Sequence, residues 1–170
     1  MRRLYLDTET TGLEPYDQLV EIALIDDDGR TVLDTLVQPL NLTSWREAEQ
    51  IHGITADMTA TAPTMAELMP TLREMLEGAH VVIYHAAFDL QFLRELQPHM
   101  GRVSCAMLAF AEYFREWNEE TQAHDKRQRL HVAAAYVGHE WDGPMHRARA
   151  DAQACRSVWL YLEEQPVPRS

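Results

Sequence analysis

The chain has 170 residues, a length that suits one compact domain. Hydrophobic residues make up 46% of it, which is enough to bury a core and excludes disorder as its general state. With 27 acidic and 15 basic residues, the net charge of −12 has the wrong sign for binding a polyanion through a broadly basic surface. An enzyme that reaches phosphate through cations held by carboxylates is compatible with this charge.

Targeting signals are missing from the sequence pattern. No segment approaches the ~18 consecutive apolar residues of a membrane helix. The apolar run near the start ends at Asp7, too early for a signal peptide. We therefore expect a soluble, cytoplasmic protein with no membrane partner, built as one domain over 1–165 with a short tail at 166–170. Cys105 and Cys155 are too few for a disulfide framework, so we expect free thiols.

The first part of the chain predicts an antiparallel meander of three strands. A short apolar strand at 3–7 ends where Thr-Glu-Thr-Thr-Gly begins. Alternating residues at 18–26 predict a second strand, and 31–38 reads as a third. The Asp-Asp-Gly-Arg segment at 27–30 between them has the composition of a tight turn.

The remainder predicts helices alternating with strands. Ser44 with Glu47, and Thr64 with Glu67, have the spacing of helix capping boxes. The predicted elements are helices at 44–50 and 64–77, a strand at 80–84, a helix at 88–96, a strand at 102–105, and helices at 106–117, 130–137 and 147–163. Residues 118–129 form a polar loop that we expect to be mobile. This order predicts a mixed-sheet α/β domain.

Acidic residues recur at the ends of the predicted elements. Asp7 and Glu9 are two positions apart on a strand, so their carboxylates point to the same side and repel each other unless a cation lies between them. Asp89 begins a helix after a buried strand, and His146 with Asp151 repeats that arrangement at the last helix. Taken alone, these patterns also fit a solvated strand end, a helix-start aspartate and a surface histidine.

Four segments in order resemble the motifs of the DEDD exonucleases. They are LDTETTGL at 6–13, IHGIT at 51–55, HAAFD at 85–89 and HRARAD at 146–151. The last has the H-x-A-x-x-D form of the DEDDh, or DnaQ-like, branch. The resemblance extends from residue 4 to about residue 162. It is closest to short members similar to exonuclease X and to the proofreading subunit of bacterial replicative polymerases.

This resemblance implies a ribonuclease H-like fold, with a five-stranded mixed sheet flanked by helices on both faces. It also implies two divalent cations, Mg²⁺ or Mn²⁺, which prefer carboxylate oxygens and can clamp both oxygens of an in-line displacement at phosphorus. By position, Asp7, Glu9 and Asp151 would hold the cation that binds the attacking water. Asp7 would bridge to a second cation supported by Asp89. His146 would be the general base, since its ordinary pKa lies near neutrality.

Other family positions would bind the substrate: Thr10, Thr11, Gly12, Leu13, Ile51, His52, His85 and Phe88. Gly12 would permit a close approach of the terminal nucleotide, and Leu13 would wedge against its base. His52, at a predicted helix end, fits a structural role equally well. The family usually has asparagine where this chain has His85. Neutral imidazole both donates and accepts only in one tautomer, so His85 would contact a metal ligand, contact a phosphate, or fill space.

The resemblance implies a metal-dependent 3′→5′ exonuclease that releases nucleoside 5′-monophosphates, preferably from single-stranded DNA ends. The alternatives are an RNA-trimming enzyme of the oligoribonuclease or ribonuclease T kind, and a non-catalytic binding module on the same fold. Because the chain ends soon after the last predicted helix, we expect no tail for tethering to a polymerase. Arg147, Arg149 and the KRQR segment at 126–129 are candidates for phosphate contacts, or a solvated surface. The oligomeric state is left open.

Overall fold

The computed structural model describes residues 1–165, and the expected tail at 166–170 lies outside the described residues. The strands are β1 (Arg3–Thr10), β2 (Leu19–Asp26), β3 (Thr31–Leu36), β4 (His80–Ile83) and β5 (Arg102–Cys105). The helices are α1 (Arg46–His52), α2 (Ala56–Thr59), α3 (Met65–Leu76), α4 (Ala86–Asp89), α5 (Ala106–Phe114), α6 (Leu130–Tyr136) and α7 (Ala148–Glu164), with one turn of 3-10 helix at Gln97–His99.

The five strands form one mixed sheet in the order β3-β2-β1-β4-β5. Strands β1, β2 and β3 are antiparallel neighbours, as the sequence predicts, while β4 and β5 run parallel to β1. The turn between β2 and β3 closes through the Gly29 N–H, which donates to the Asp26 carbonyl at 3.0 Å. Gly29 has a φ of 84°, a conformation that side chains other than glycine rarely adopt.

The alternation of side chains along β1 determines on which side of the sheet its acidic residues lie. Leu4 and Leu6 point into a core beneath α3, and Tyr5 points into a second core beneath α5, α6 and α7. Strand side chains alternate with a period of two, so Asp7 and Glu9 leave the sheet on the same side as Tyr5. Both carboxylates therefore emerge next to α7.

Strand β1 is longer than predicted. The sequence suggests a break after Asp7, but β1 continues to Thr10 because β2 pairs with it along that whole length, as far as Leu19. The polar end of the strand is thus held by main-chain hydrogen bonds to its neighbour. An apolar pattern alone cannot reveal that stabilisation.

One predicted capping box is confirmed and the other is wrong. At the start of α3, Thr64 accepts a hydrogen bond from the Glu67 N–H while the Glu67 side chain bonds back to Thr64. Helix α1 instead begins after Trp45, with no side-chain cap, so Ser44 and Glu47 do not form the expected pair. Trp45 is buried and sets the start of this helix by packing.

The predicted helix at 88–96 is also wrong. Helix α4 ends at Asp89, and the N–H groups of Phe92 and Leu93 donate to carbonyls three residues back, which is turn geometry. Leu93 and Leu96 still enter the core beneath α3, so the apolar spacing reports burial and not a continuous helix. Within residues 1–165, no helix has both the length and the apolar composition that crossing a bilayer requires.

Candidate active site

Three carboxylates converge where β1 meets the start of α7. Asp7 and Glu9 come from β1, and Asp151 lies in the first turn of α7. One ligand oxygen from each of these residues lies within 4.8 Å of the others. The structure thus brings together the three residues that the sequence assigns to one cation.

The fourth carboxylate, Asp89, reaches the same cleft from the neighbouring strand. Strand β4 runs parallel to β1, with Ile83 opposite Leu6, and α4 follows at its carboxyl end. Asp89 is only 3% exposed, and its Oδ1 accepts a hydrogen bond from the Thr8 hydroxyl at 2.7 Å. It lies outside the group of three but lines the same cleft, whose volume is about 500 Å³.

Burial and mutual repulsion raise the pKa of all four carboxyl groups. Burial raises the pKa of Asp7 well above its usual range, and the charges of the other three carboxylates add to the effect. Burial likewise raises the pKa of Glu9 to about 8 and that of Asp89 to about 7. The pKa of Asp151 rises to about 6. The concentration of negative charge is therefore costly without a compensating cation.

His146 lies at the mouth of this cleft. Its side chain is exposed, as the preceding Gly-Pro break predicts, and its backbone N–H donates to Asp151 Oδ1 at 3.1 Å. The residue has a φ of 61°, a conformation that costs energy for any residue with a Cβ atom. The Asp151 carboxylate thus stabilises an unusual backbone conformation that presents the imidazole to the cleft.

A second cavity of about 490 Å³ adjoins the first, and Thr8, Glu9 and Phe88 line both. Seven of the eight residues assigned to the substrate line this second cavity: Thr10, Thr11, Gly12, Leu13, Ile51, His52 and Phe88. Leu13 is 75% exposed and Ile51 is 59% exposed, so both apolar side chains are free to contact a ligand. We call this cavity the terminal pocket and the acidic one the catalytic cleft.

The space beside Gly12 is occupied by the protein itself. A Cβ atom built on Gly12 would lie 2.4 Å from the Asp17 carboxylate, so a larger residue would force this loop to move. Asp17 accepts hydrogen bonds from the Thr11 hydroxyl and the Glu14 N–H, each at 2.9 Å. A side chain at position 12 would therefore displace the Asp17 carboxylate and disturb the hydrogen bonds that hold this turn at the wall of the terminal pocket.

Both ring nitrogens of His52 are bonded to the main chain. Nδ1 accepts from the Ile54 N–H at 2.9 Å, so Nε2 carries the proton and donates to the Thr10 carbonyl at 3.1 Å. Burial lowers the pKa of His52, which favours this neutral form. His52 therefore links the end of β1 to the end of α1 and forms part of the wall of the terminal pocket.

His85, at the position where the family usually has asparagine, lines the catalytic cleft. Its ring stacks on Phe88, with ring centroids 6.0 Å apart and planes 21° apart. Burial first and the nearby Arg127 second lower the pKa of His85, which favours the neutral ring. The imidazole of His85 is exposed to solvent in the cleft. Within residues 1–165, it forms no hydrogen bond with the four carboxylates.

Sequence reasoning missed Glu21, a buried carboxylate on β2 directly opposite Glu9 in the strand pairing. Both of its oxygens accept from Arg147 Nε at 3.1 Å, and Oε2 also accepts from the Ala148 N–H at 2.8 Å. This arrangement fixes the start of α7 against the sheet. A glutamate inside the otherwise apolar run of β2 is the sequence signal that could have revealed it.

The donor set of the catalytic cleft suits a hard divalent cation. Its converging ligands are carboxylate oxygens, the donors that Mg²⁺ and Mn²⁺ prefer. Without a cation, the carboxylates of Asp7, Glu9 and Asp151 would repel one another at this short distance. The site is therefore a chemically consistent place for metal binding.

Comparison with known families agrees with this site. The sequence model of the exonuclease family RNase_T matches residues 4–158, and the chain belongs to this family. The chain is 35% identical over 163 residues to an uncharacterized exonuclease, CP81, of Escherichia phage 186, covering 89% of this chain and 82% of that protein. It is 32% identical over 108 residues to the DNA polymerase III epsilon subunit of Escherichia coli, and this match spans 54% of the chain but only 42% of the subunit.

Solved structures agree on the fold. Exonuclease X in complex with 5′ overhanging duplex DNA superimposes with a TM-score of 0.71 at 24% identity, covering 94% of this chain and 89% of that one. The nuclease domain of 3′hExo, a DEDDh family member bound to rAMP, gives 0.67 at 15% identity, covering 96% and 92%. The chain thus has the ribonuclease H-like fold of the DEDDh exonucleases and is a nuclease of this DnaQ-like class, whose members use divalent metal ions.

Proposed function

We propose that this exonuclease removes nucleotides from the 3′ end of a strand, preferably single-stranded DNA, and releases nucleoside 5′-monophosphates. The observation that carries the proposal is that an acidic cleft adjoins a second cavity of about 490 Å³, which has exposed apolar side chains in its wall. The two cavities share Thr8, Glu9 and Phe88. A terminal nucleotide in the pocket therefore leaves its phosphodiester at the carboxylates.

The four carboxylates and His146 each have a role in this proposal. Asp7, Glu9 and Asp151 would hold one divalent cation, and Asp7 and Asp89 would hold a second. Two Mg²⁺ or Mn²⁺ ions bound there supply acidification of water and stabilisation of the charge on phosphate and leaving oxygen. His146 takes the proton of the attacking water as general base, since its exposed ring lies at the mouth of the cleft.

The terminal pocket supports attack at the strand end. Leu13 and Ile51 present apolar surface to a base, while the turn at 10–12 offers main-chain groups to the sugar. Residues 1–165 form, in this proposal, a single domain that carries the whole site. The similar structures include one described as a 3′-exonuclease, which supports attack at a 3′ end. One is described in complex with duplex DNA and another as recognising a histone mRNA stem-loop, so the experiment below compares DNA with RNA directly.

Digestion of 5′-labelled single-stranded DNA and RNA of equal sequence tests the proposal. With Mg²⁺ or Mn²⁺ we expect the labelled DNA to shorten from its 3′ end one nucleotide at a time, and with EDTA we expect no cleavage. Faster shortening of RNA than of DNA would replace the DNA preference with the RNA-trimming alternative. Cleavage that persists in EDTA would overturn the metal-dependent mechanism.

A further inference from the structure

The catalytic cleft has one basic wall in a strongly acidic protein. The segment from Arg127 to His131 lines the catalytic cleft and no part of the terminal pocket. Among the described residues that line either cavity, Arg127 and Arg129 are the only arginines or lysines. Within residues 1–165, neither has a carboxylate within salt-bridge distance, whereas the neighbouring Lys126 is paired with Glu116. Two uncompensated guanidinium groups are thus available at the cleft.

Hydrogen bonds of Gln128 hold the segment that carries these two arginines against the cleft. The Gln128 side chain, between them, donates to Glu116 at 2.8 Å, and the Gln128 carbonyl accepts from the Tyr84 hydroxyl at 2.9 Å. The backbone is extended at Arg129, where α6 follows. In extended chain, residues on either side of an inward-facing one point outward. Gln128 therefore anchors the segment while Arg127 and Arg129 face solvent at the cleft wall.

We propose that Arg127 and Arg129 bind the phosphates of the strand upstream of the scissile bond. This inference rests on the proposed function, which puts the terminal nucleotide in the terminal pocket and the scissile phosphate at the carboxylates. The upstream strand then leaves the catalytic cleft along the wall that carries Arg127 and Arg129. Guanidinium groups suit this contact because they form paired, charge-assisted hydrogen bonds with phosphate oxygens. The contact reads the backbone and is independent of base sequence.

The test compares two substrates that differ only in the number of upstream phosphates. A dinucleotide has one phosphodiester and nothing upstream, whereas a strand of about twelve nucleotides carries phosphates that reach the basic wall. For the unaltered protein, we expect kcat/KM to be higher for the long strand. In the double variant Arg127→Ala/Arg129→Ala, the ratio of the two kcat/KM values should fall by roughly tenfold or more, as expected for losing two charge-assisted hydrogen bonds.

A matched double variant controls for net charge. Arg94→Ala/Arg102→Ala removes the same two charges from exposed arginines that line neither cavity, and the ratio should stay at the unaltered value. The slope of log KM against log salt for the long strand should also become shallower by about 1.4 in the Arg127→Ala/Arg129→Ala variant, since each lost phosphate contact in a single strand contributes about 0.7.

Two results would overturn this inference. One is an unchanged ratio in the Arg127→Ala/Arg129→Ala variant, and the other is an equal fall in the control variant. Failure of the proposed function gives a different result, in which the unaltered protein hydrolyses neither substrate. The variant Arg127→Lys/Arg129→Lys keeps both charges but loses the paired hydrogen bonds, so its ratio should lie between that of the alanine variant and the unaltered value. A ratio below that of the alanine variant would contradict a phosphate contact at these positions.

Discussion

In our proposal the four carboxyl groups of the cleft, of which Asp89 and Asp151 are buried and Asp7 and Glu9 half-buried, act as cation ligands and their support, while His146 moves a proton. Asp7→Ala should remove Mn²⁺ binding and activity together, because Asp7 contributes to both cations. His146→Ala should keep the cations and lose roughly 10²–10⁴-fold in rate, the usual contribution of a general base. Calorimetric titration with Mn²⁺ beside single-turnover rates measures both quantities.

The exposed Asp57 provides the matched control, since Asp57→Ala removes one acidic charge outside both cavities. It should leave Mn²⁺ affinity and rate at their original values. If His146→Ala lost Mn²⁺ as completely as Asp7→Ala, His146 would have to be reassigned as a ligand.

The raised carboxyl pKa values also predict how stability depends on pH when metal is removed. A group whose pKa is higher in the folded state stabilises the fold below its unfolded pKa, and this stabilisation is lost as pH rises through the folded value. The folded pKa values are about 6 for Asp151, about 7 for Asp89 and about 8 for Glu9. In EDTA, the melting temperature should therefore fall as pH rises from about 4, the ordinary pKa of a carboxyl group, to about 8, the folded pKa of Glu9.

Asp151→Asn isolates this repulsion, since burial raises the pKa of Asp151 to about 6 and its carboxyl group is therefore charged at pH 8. In EDTA at pH 8 it should raise the melting temperature, by about 2–4 °C for each kcal/mol of repulsion removed, because it replaces a buried charge with a neutral group of the same shape. Near pH 5 the gain should shrink, since the carboxyl group of the unaltered protein is then protonated. Thermal unfolding followed by circular dichroism measures it. A variant that is less stable than the original protein at pH 8 would contradict the assigned repulsion.

At the scale of elements, the contact between β2 and the start of α7 determines where Asp151 lies. Glu21 is 2% exposed and bonds both Arg147 and the Ala148 N–H. Glu21→Ala should lower the free energy of unfolding by about 3 kcal/mol, because it leaves Arg147 without a partner and a helix N–H unsatisfied. It should also weaken Mn²⁺ binding, since the first turn of α7 loses its anchor.

Arg149→Ala is the control for this contact, because Arg149 lies on the same turn of α7 but pairs with the exposed Asp142. We expect a loss of about 1 kcal/mol or less, as for other surface ion pairs, and unchanged Mn²⁺ affinity. Unfolding in urea and calorimetry together separate a general loss of stability from a displaced ligand. Unaltered Mn²⁺ affinity in Glu21→Ala would show that Glu21 does not position Asp151.

The sequence predicts most elements because their apolar periods and turns are local signals. The meander, β4, β5 and the final helix follow from such patterns. Three features depend on contacts distant in the chain and could not be predicted locally. Strand β1 is extended past Asp7 by pairing with β2, α1 begins at a buried Trp45, and α4 stops at Asp89 while the following turns remain buried.

The features of the site likewise separate into those that local sequence patterns predict and those that depend on packing. Convergence of Asp7 and Glu9 follows from strand periodicity, so it could be predicted from the residues alone. Their meeting with Asp151 depends on which face of the sheet α7 covers, and there the family resemblance supplied what the pattern could not. The closed hydrogen bonding of His52 and the buried Glu21 became visible only in the packed structure.

The whole molecule carries a net charge of −12 and yet, in our proposal, acts on a polyanion. Four of the 27 acidic residues line the catalytic cleft, where cations would neutralise them, and two uncompensated arginines lie on its wall. Long-range attraction of nucleic acid by the protein surface is therefore weak, and binding depends on the cations and on local contacts. This arrangement favours recognition of a strand end over binding along a strand.

The central claim is that water attacks the last phosphodiester of a free 3′ end, and product analysis tests it most directly. A linear single strand and a covalently closed circle of the same sequence are incubated with Mn²⁺, and the products are identified by mass spectrometry. We predict nucleoside 5′-monophosphates from the linear strand and no cleavage of the circle, because the terminal pocket receives a single end nucleotide. Nucleoside 3′-monophosphates, or nicked circles, would contradict the account.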